Sequence, residues 1–166
     1  MRKEITWGLF FVFSIFILAI LSATVSSKNI NCGEDFNCFL QNAPNCVTSS
    51  VQSTTSIDLF GMKIITRTLL KIRPYKNKCE LYVNNKYIAV KLTDELKNSL
   101  QSEGYTDKEI IRVERKATAE ARENKGVAIC RFDAAELTTL LANWGNGAFS
   151  SDDFNSAECK GKLAKK

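Results

Sequence analysis

Between Lys63 and Lys91 the chain carries Lys63, Arg67, Lys71, Arg73, Lys76, Lys78, Lys86 and Lys91 against a single acid, Glu80. That is a local charge of +7 within 29 residues, more than the +5 of the whole chain. Side chains alternate across a strand, so Lys63, Arg67, Lys71 and Arg73, all odd-numbered, share one face if this stretch is extended. Tyr82, Tyr87 and Lys91 take outward positions just downstream. A cationic, tyrosine-bearing sheet face has the chemistry to hold an anionic polymer, an anionic glycan, lipid headgroups or an acidic protein partner, through charge and ring stacking. The plainer reading is a solvated outer face whose lysines discourage edge pairing. Ile65 and Leu69, interleaved among the cations, favour a cover over that face, either a helix or a partner.

Other chemistries are limited by composition. The 166 residues include no histidine, which excludes a Ser-His-Asp triad, a Cys-His dyad, His-ligated metal and imidazole acid-base work. The six cysteines, Cys32, Cys38, Cys46, Cys79, Cys130 and Cys159, contain no CxxC pair. An even count in an exported domain reads as up to three disulfides, leaving no thiol nucleophile. The expected pairing joins Cys79 to Cys130 on two strands and leaves the N-terminal trio to share partners with Cys159. Glu34-Asp35 and Asp152-Asp153 fall where helices begin, and the macrodipole accounts for them there. Trp144 and Phe149 flank a glycine turn and read as core anchors, although a sugar-stacking or docking tip has the same pattern. No Walker A, GxSxG, HExxH or dinucleotide fingerprint occurs. No cofactor and no metal site is expected.

The first 27 residues hold 17 apolar ones, and residues 5–25 carry no charge after Arg2 and Lys3. This is a basic n-region and an apolar h-region. Small residues from Ser22 to Ser27 suit signal cleavage, while the 21 uncharged residues 5–25 at 1.5 Å each would just span a bilayer core of about 30 Å. Both readings keep the N-terminus in the cytoplasm and put residues 28–166 outside it. In the second, residues 5–25 bind the membrane as a single span. An extracytoplasmic domain is a poor candidate for nucleic acid.

The elements needed to position these residues follow from periodicity. Phe36, Phe39 and Leu40 predict a helix over 34–43, ended by Pro44. Residues 47–57 read as an exposed or edge strand, and period-two alternation makes 61–75 a half-buried strand. Residues 79–83 and 87–92 form a predicted hairpin about Asn84-Asn85-Lys86. Thr93 starts a helix that Gly104 closes, and Thr106 with Glu109 opens a longer one with the stripe Ile110, Val113, Ala117, Ala121. Residues 127–132 return as a strand, Asp133 with Glu136 caps a further helix, and Ser150 or Ser151 caps a last one holding Phe154 and Cys159. Runs of strands followed by helices predict an α+β fold: an antiparallel sheet of four to five strands with helices on one face, stapled by disulfides and preceded by an N-terminal apolar helix. The chain divides into 1–27 (signal peptide or membrane anchor), 28–159 (one exported domain) and 160–166 (a basic tail). The expected activity is noncatalytic binding, or envelope and surface assembly, through the basic face. The alternatives are a secreted hydrolase using carboxylates, which needs two converging acids in a cleft, and a surface-filament subunit oligomerising through its N-terminal helix.

Overall fold

The computed structural model describes residues 29–123, 125–148, 150, 153 and 158–164. The expected signal or anchor segment lies outside the described residues, as do Phe149, Phe154 and the end of the basic tail. Among the described residues no helix is long and apolar enough to cross a membrane. The elements are β1 (Ile30–Asn31), α1 (Phe36–Asn42), β2 (Ser49–Leu59), β3 (Met62–Tyr75), β4 (Lys78–Leu92), α2 (Asp94–Ser102), α3 (Asp107–Glu123), β5 (Val127–Phe132), α4 (Ala134–Gly145) and β6 (Glu158–Gly161).

The six strands lie side by side in chain order. All neighbours are antiparallel except β1, which runs parallel to β2, so the sheet is mixed and larger than the four to five antiparallel strands expected. The two-residue β1 and the four-residue β6 are too short to show a period in the sequence. Helices α1 and α4 cover one face. There Phe39, Leu137 and Leu141, all fully buried, meet Val51, Leu70, Ile72, Leu81, Val83, Ala128 and Cys130 from four strands. Burying a side chain of this size contributes about 1.5–3 kcal/mol, so these helices are held by their apolar faces. Local signals set their starts: Asp35 accepts from the N–H groups of Asn37 and Cys38, and Asp133 with Glu136 forms the expected capping box of α4.

Helices α2 and α3 have a different place. Strand β4 extends past β5, which pairs only with residues 79–84. The exposed length of its edge is met by α3. The Leu92 N–H donates to Glu114 Oε1 (3.0 Å), the Val90 N–H donates to Thr118 Oγ1 (3.0 Å), and Arg122 Nε donates to the Ile88 carbonyl (3.4 Å). Four helical residues rise about 6 Å and two strand residues about 6.7 Å, so Glu114, Thr118 and Arg122 keep step with alternate strand residues. The expected stripe is accordingly shifted: Ile110 is buried, while Val113 stays exposed.

Three local expectations fail for identifiable reasons. Asn84-Asn85-Lys86 is not a hairpin turn but a bulge in a continuous β4, because both halves pair with the same long β3. Thr68 faces Asn85 and Arg67 faces Tyr87, leaving Lys86 unpaired and the inward parity of Ile88, Val90 and Leu92 preserved. Cys159 sits on β6 rather than on a helix, and Gly161 explains part of that geometry. Its φ is +115°, and a Cβ there would lie 2.2 Å from the Val127 carbonyl oxygen. Lastly, all six cysteines are bridged, but as Cys32–Cys38, Cys46–Cys79 and Cys130–Cys159. Cys79 lies opposite Phe132 and Cys130 opposite Leu81, so the expected pair is diagonal, whereas Cys130 faces Cys159 directly at a Cα separation of 4.1 Å.

Candidate functional site

The β3–β4 register places all seven expected site residues on the face turned away from α1 and α4. Its successive rungs are Lys63–Lys91, Ile65–Ala89, Arg67–Tyr87, Leu69–Asn84, Lys71–Tyr82 and Arg73–Glu80. Two cations therefore stand directly across from tyrosines. The Arg67 guanidinium lies 5.7 Å from the Tyr87 ring centre, and the Lys71 ammonium 6.0 Å from that of Tyr82. Such contacts contribute about 0.5–1 kcal/mol at exposed sites, enough to bias a side chain's position without consuming its charge. Asn84 Nδ2 donates to the Tyr82 hydroxyl at 3.0 Å, which orients that ring further.

Lys63, Arg67, Lys71 and Lys91 enter no ion pair among the described residues. Lys63, Arg67 and Lys71 are four residues apart along one strand, hence spaced by about 13 Å. Along β2 the same face continues as Gln52, Thr54, Ser56 and Asp58, opposite Leu69, Arg67, Ile65 and Lys63. The surface is thus a cationic strip bordered by hydroxyl and amide groups and, opposite Lys63, by the Asp58 carboxylate.

Arg73 shares the face but its charge is already engaged. Its Nε donates to Glu80 Oε1 at 2.6 Å, and Glu80 is only 3% exposed. From β5, Arg131 approaches the other Glu80 oxygen at 3.6 Å and lays its guanidinium over the Tyr75 ring at 3.9 Å. A buried carboxylate needs such partners, so Arg73 and Arg131 serve the fold at this end of the strip.

A groove of about 370 Å³ beside Tyr87 has no counterpart among the features expected from the sequence. Ala89 and Lys91 line one side; Ile111, Arg115 and Arg122 of α3 line the other. Two further cations and an apolar floor therefore extend the strip onto α3, beside Glu114, whose carboxylate is paired with Lys97 at 3.3 Å. The cover expected over Ile65 and Leu69 is partial, since α3 borders the buried Ala89 while both residues stay half-exposed. The signal available in advance was the i, i+4, i+8 series Glu114, Thr118, Arg122, whose polar side chains match a strand edge rather than open water.

The opposite face holds a larger cleft, about 660 Å³, where β2 and β3 run beyond α1 and α4. Its floor carries Ser53, Thr55, Thr66, Thr68 and Asn85, and Phe36 and Trp144 contribute to its walls. Of the described residues lining it, Asp153 is the one carboxylate. Asp153 Oδ2 accepts from Trp144 Nε1 (2.7 Å) and from the Ser150 N–H (2.9 Å), which makes it a structural acceptor that positions the Trp144 ring. Two converging acids are not assembled there by the described residues. The carboxyls held below the usual carboxylate range lie elsewhere, at helix starts. Glu95 is lowered by its own backbone N–H and then by Thr93; Glu109 is lowered by the Thr106 N–H and then by the Thr106 hydroxyl.

No family model, curated protein or solved structure matches this chain.

Proposed function

We propose that this chain is a noncatalytic, extracytoplasmic binding protein that holds an anionic polymer against its β3–β4 face. The observation that carries the reading is a set of four cations on one face that enter no ion pair among the described residues, Lys63, Arg67, Lys71 and Lys91, two of which, Arg67 and Lys71, stand directly across from Tyr87 and Tyr82. Arg67 and Lys71 lie within cation–ring distance of Tyr87 and Tyr82, and Thr54 and Ser56 border the strip with hydroxyl groups. The three disulfides fit an oxidising environment, and the N-terminal apolar run supports export or anchoring.

Dextran sulfate is a suitable probe, because it presents dense negative charge without a specific sequence. Binding should weaken steeply as salt rises, as expected of exposed charges within a Debye length of about 10 Å at 0.1 M. Reversing Lys63, Arg67 and Lys71 to Glu together should lower affinity at least tenfold and flatten the salt dependence. Equal binding by the reversed and native proteins would sink the proposal.

A further inference from the structure

We infer that the chain pairs with a second copy of itself through the open edge of β2, forming one continuous sheet across a two-fold axis. The inference stands apart from the polymer reading, since it rests on backbone geometry. Strand β1 pairs with β2 only at Ser49 and Ser50, and the last main-chain bond on that side runs from the Gln52 N–H to the Gly33 carbonyl (2.7 Å). From Ser53 to Leu59 no described strand pairs with the outer edge, and no described residue makes a main-chain bond to it. By strand alternation, the N–H and C=O groups of Thr54, Ser56 and Asp58 point outward with that of Gln52.

Sheet edges are ordinarily blunted by lysine, proline, bulges or a covering element. This molecule does so elsewhere. The overhang of β4 is capped by α3, and β6 is four residues long, carries Lys160 and turns at once into Lys162–Ala164. Among the described residues, the open stretch of β2 has none of these devices. It contains no Pro, Lys or Arg, and its pairing with β3 runs from Ser49 to Leu59 without a register shift. It also exposes apolar side chains, Ile57 at 60% and Leu59 at 46%, and ends at Phe60, 86% exposed.

The stretch is complementary to itself. Antiparallel pairing centred on Ser56 sets Thr54 opposite Asp58, Thr55 opposite Ile57 and Ser53 opposite Leu59. Its one charge, Asp58, then faces a threonine hydroxyl rather than its own copy. At each end Phe60 comes beside Gln52 of the second copy, where that copy's Gly33 closes the edge, so the paired length is bounded by structure already present. Antiparallel edge pairing places the two-fold perpendicular to the sheet, and both copies present the same face to the same side. The Lys63, Arg67 and Lys71 strips then lie three strand spacings apart, about 14 Å, on one surface.

Sedimentation of the full chain in mild detergent should give the mass of a dimer. Ser56→Pro removes an outward N–H, which an edge strand tolerates, and Ile57→Lys sets two like charges beside the axis. Each should weaken the dimer at least tenfold while far-UV circular dichroism stays native. If Ser56→Pro fails to fold, Ile57→Lys decides alone, since Ile57 is already largely exposed. A native chain that is monomeric up to about 100 µM, or a dimer that survives the folded edge variants, overturns the inference.

Discussion

Phe60 occupies the first position of a two-residue turn in which it and Gly61 both have positive φ, +51° and +74°. Such a turn suits Asn-Gly, because a bulky side chain in this region crowds the following carbonyl at a cost of about 1–2 kcal/mol. The ring gains nothing in return within one molecule, being 86% exposed. Phe60→Asn should therefore stabilise the isolated chain by about 0.5–1 kcal/mol, read as a higher urea midpoint at low protein concentration. A lower midpoint instead would mean that the ring is covered in solution, as pairing of two β2 edges would do. The basic strip was legible residue by residue, since Lys63, Arg67 and Lys71 follow the period of a strand. Arg73 was not, because its partner Glu80 is buried only with the help of Arg131, and that residue arrives from β5.

At the scale of elements, α3 acts as a substitute strand. The Thr118 hydroxyl both accepts from the Val90 N–H and donates to the Val90 carbonyl at 3.2 Å, closing the gap that β5 leaves. Thr118→Val keeps the shape but orphans both main-chain groups, and should cost about 1–2 kcal/mol. Hydrogen exchange checks this locally: the Val90 amide should exchange faster in the variant, and unchanged exchange would mean that water already caps this edge. Helix starts were readable here because caps are written in two or three adjacent residues, as at Thr93 and Asp133. The bulge at Lys86 was not, because Asn84-Asn85-Lys86 is equally good turn chemistry, and only the length of β3 decides that β4 continues. For β6 the deciding partner is Cys130, which no local pattern around Cys159 reveals.

Across the whole molecule, the three bridges divide the labour of holding a modest core. Cys32–Cys38 closes a loop of sequence separation 6 around the start of α1, whereas Cys46–Cys79 ties the end of the α1 layer to β4 across a separation of 33. Cys130–Cys159, with a separation of 29, holds the short β6 to β5. If the bridges act mainly by restricting the unfolded chain, the stabilisation grows with loop length, giving about 2 kcal/mol for the first and about 4 kcal/mol for each of the others. Replacing each pair by alanine tests this ranking through urea midpoints. The Cys130–Cys159 variant carries a second expectation, because β6 brings Glu158 to Arg131 and Lys78. Its loss should loosen the Arg131 guanidinium over Tyr75 and expose Glu80, so it should fall below the Cys46–Cys79 variant despite the shorter loop. Equal losses for all three pairs would instead show that native-state packing, rather than chain entropy, sets what each bridge contributes.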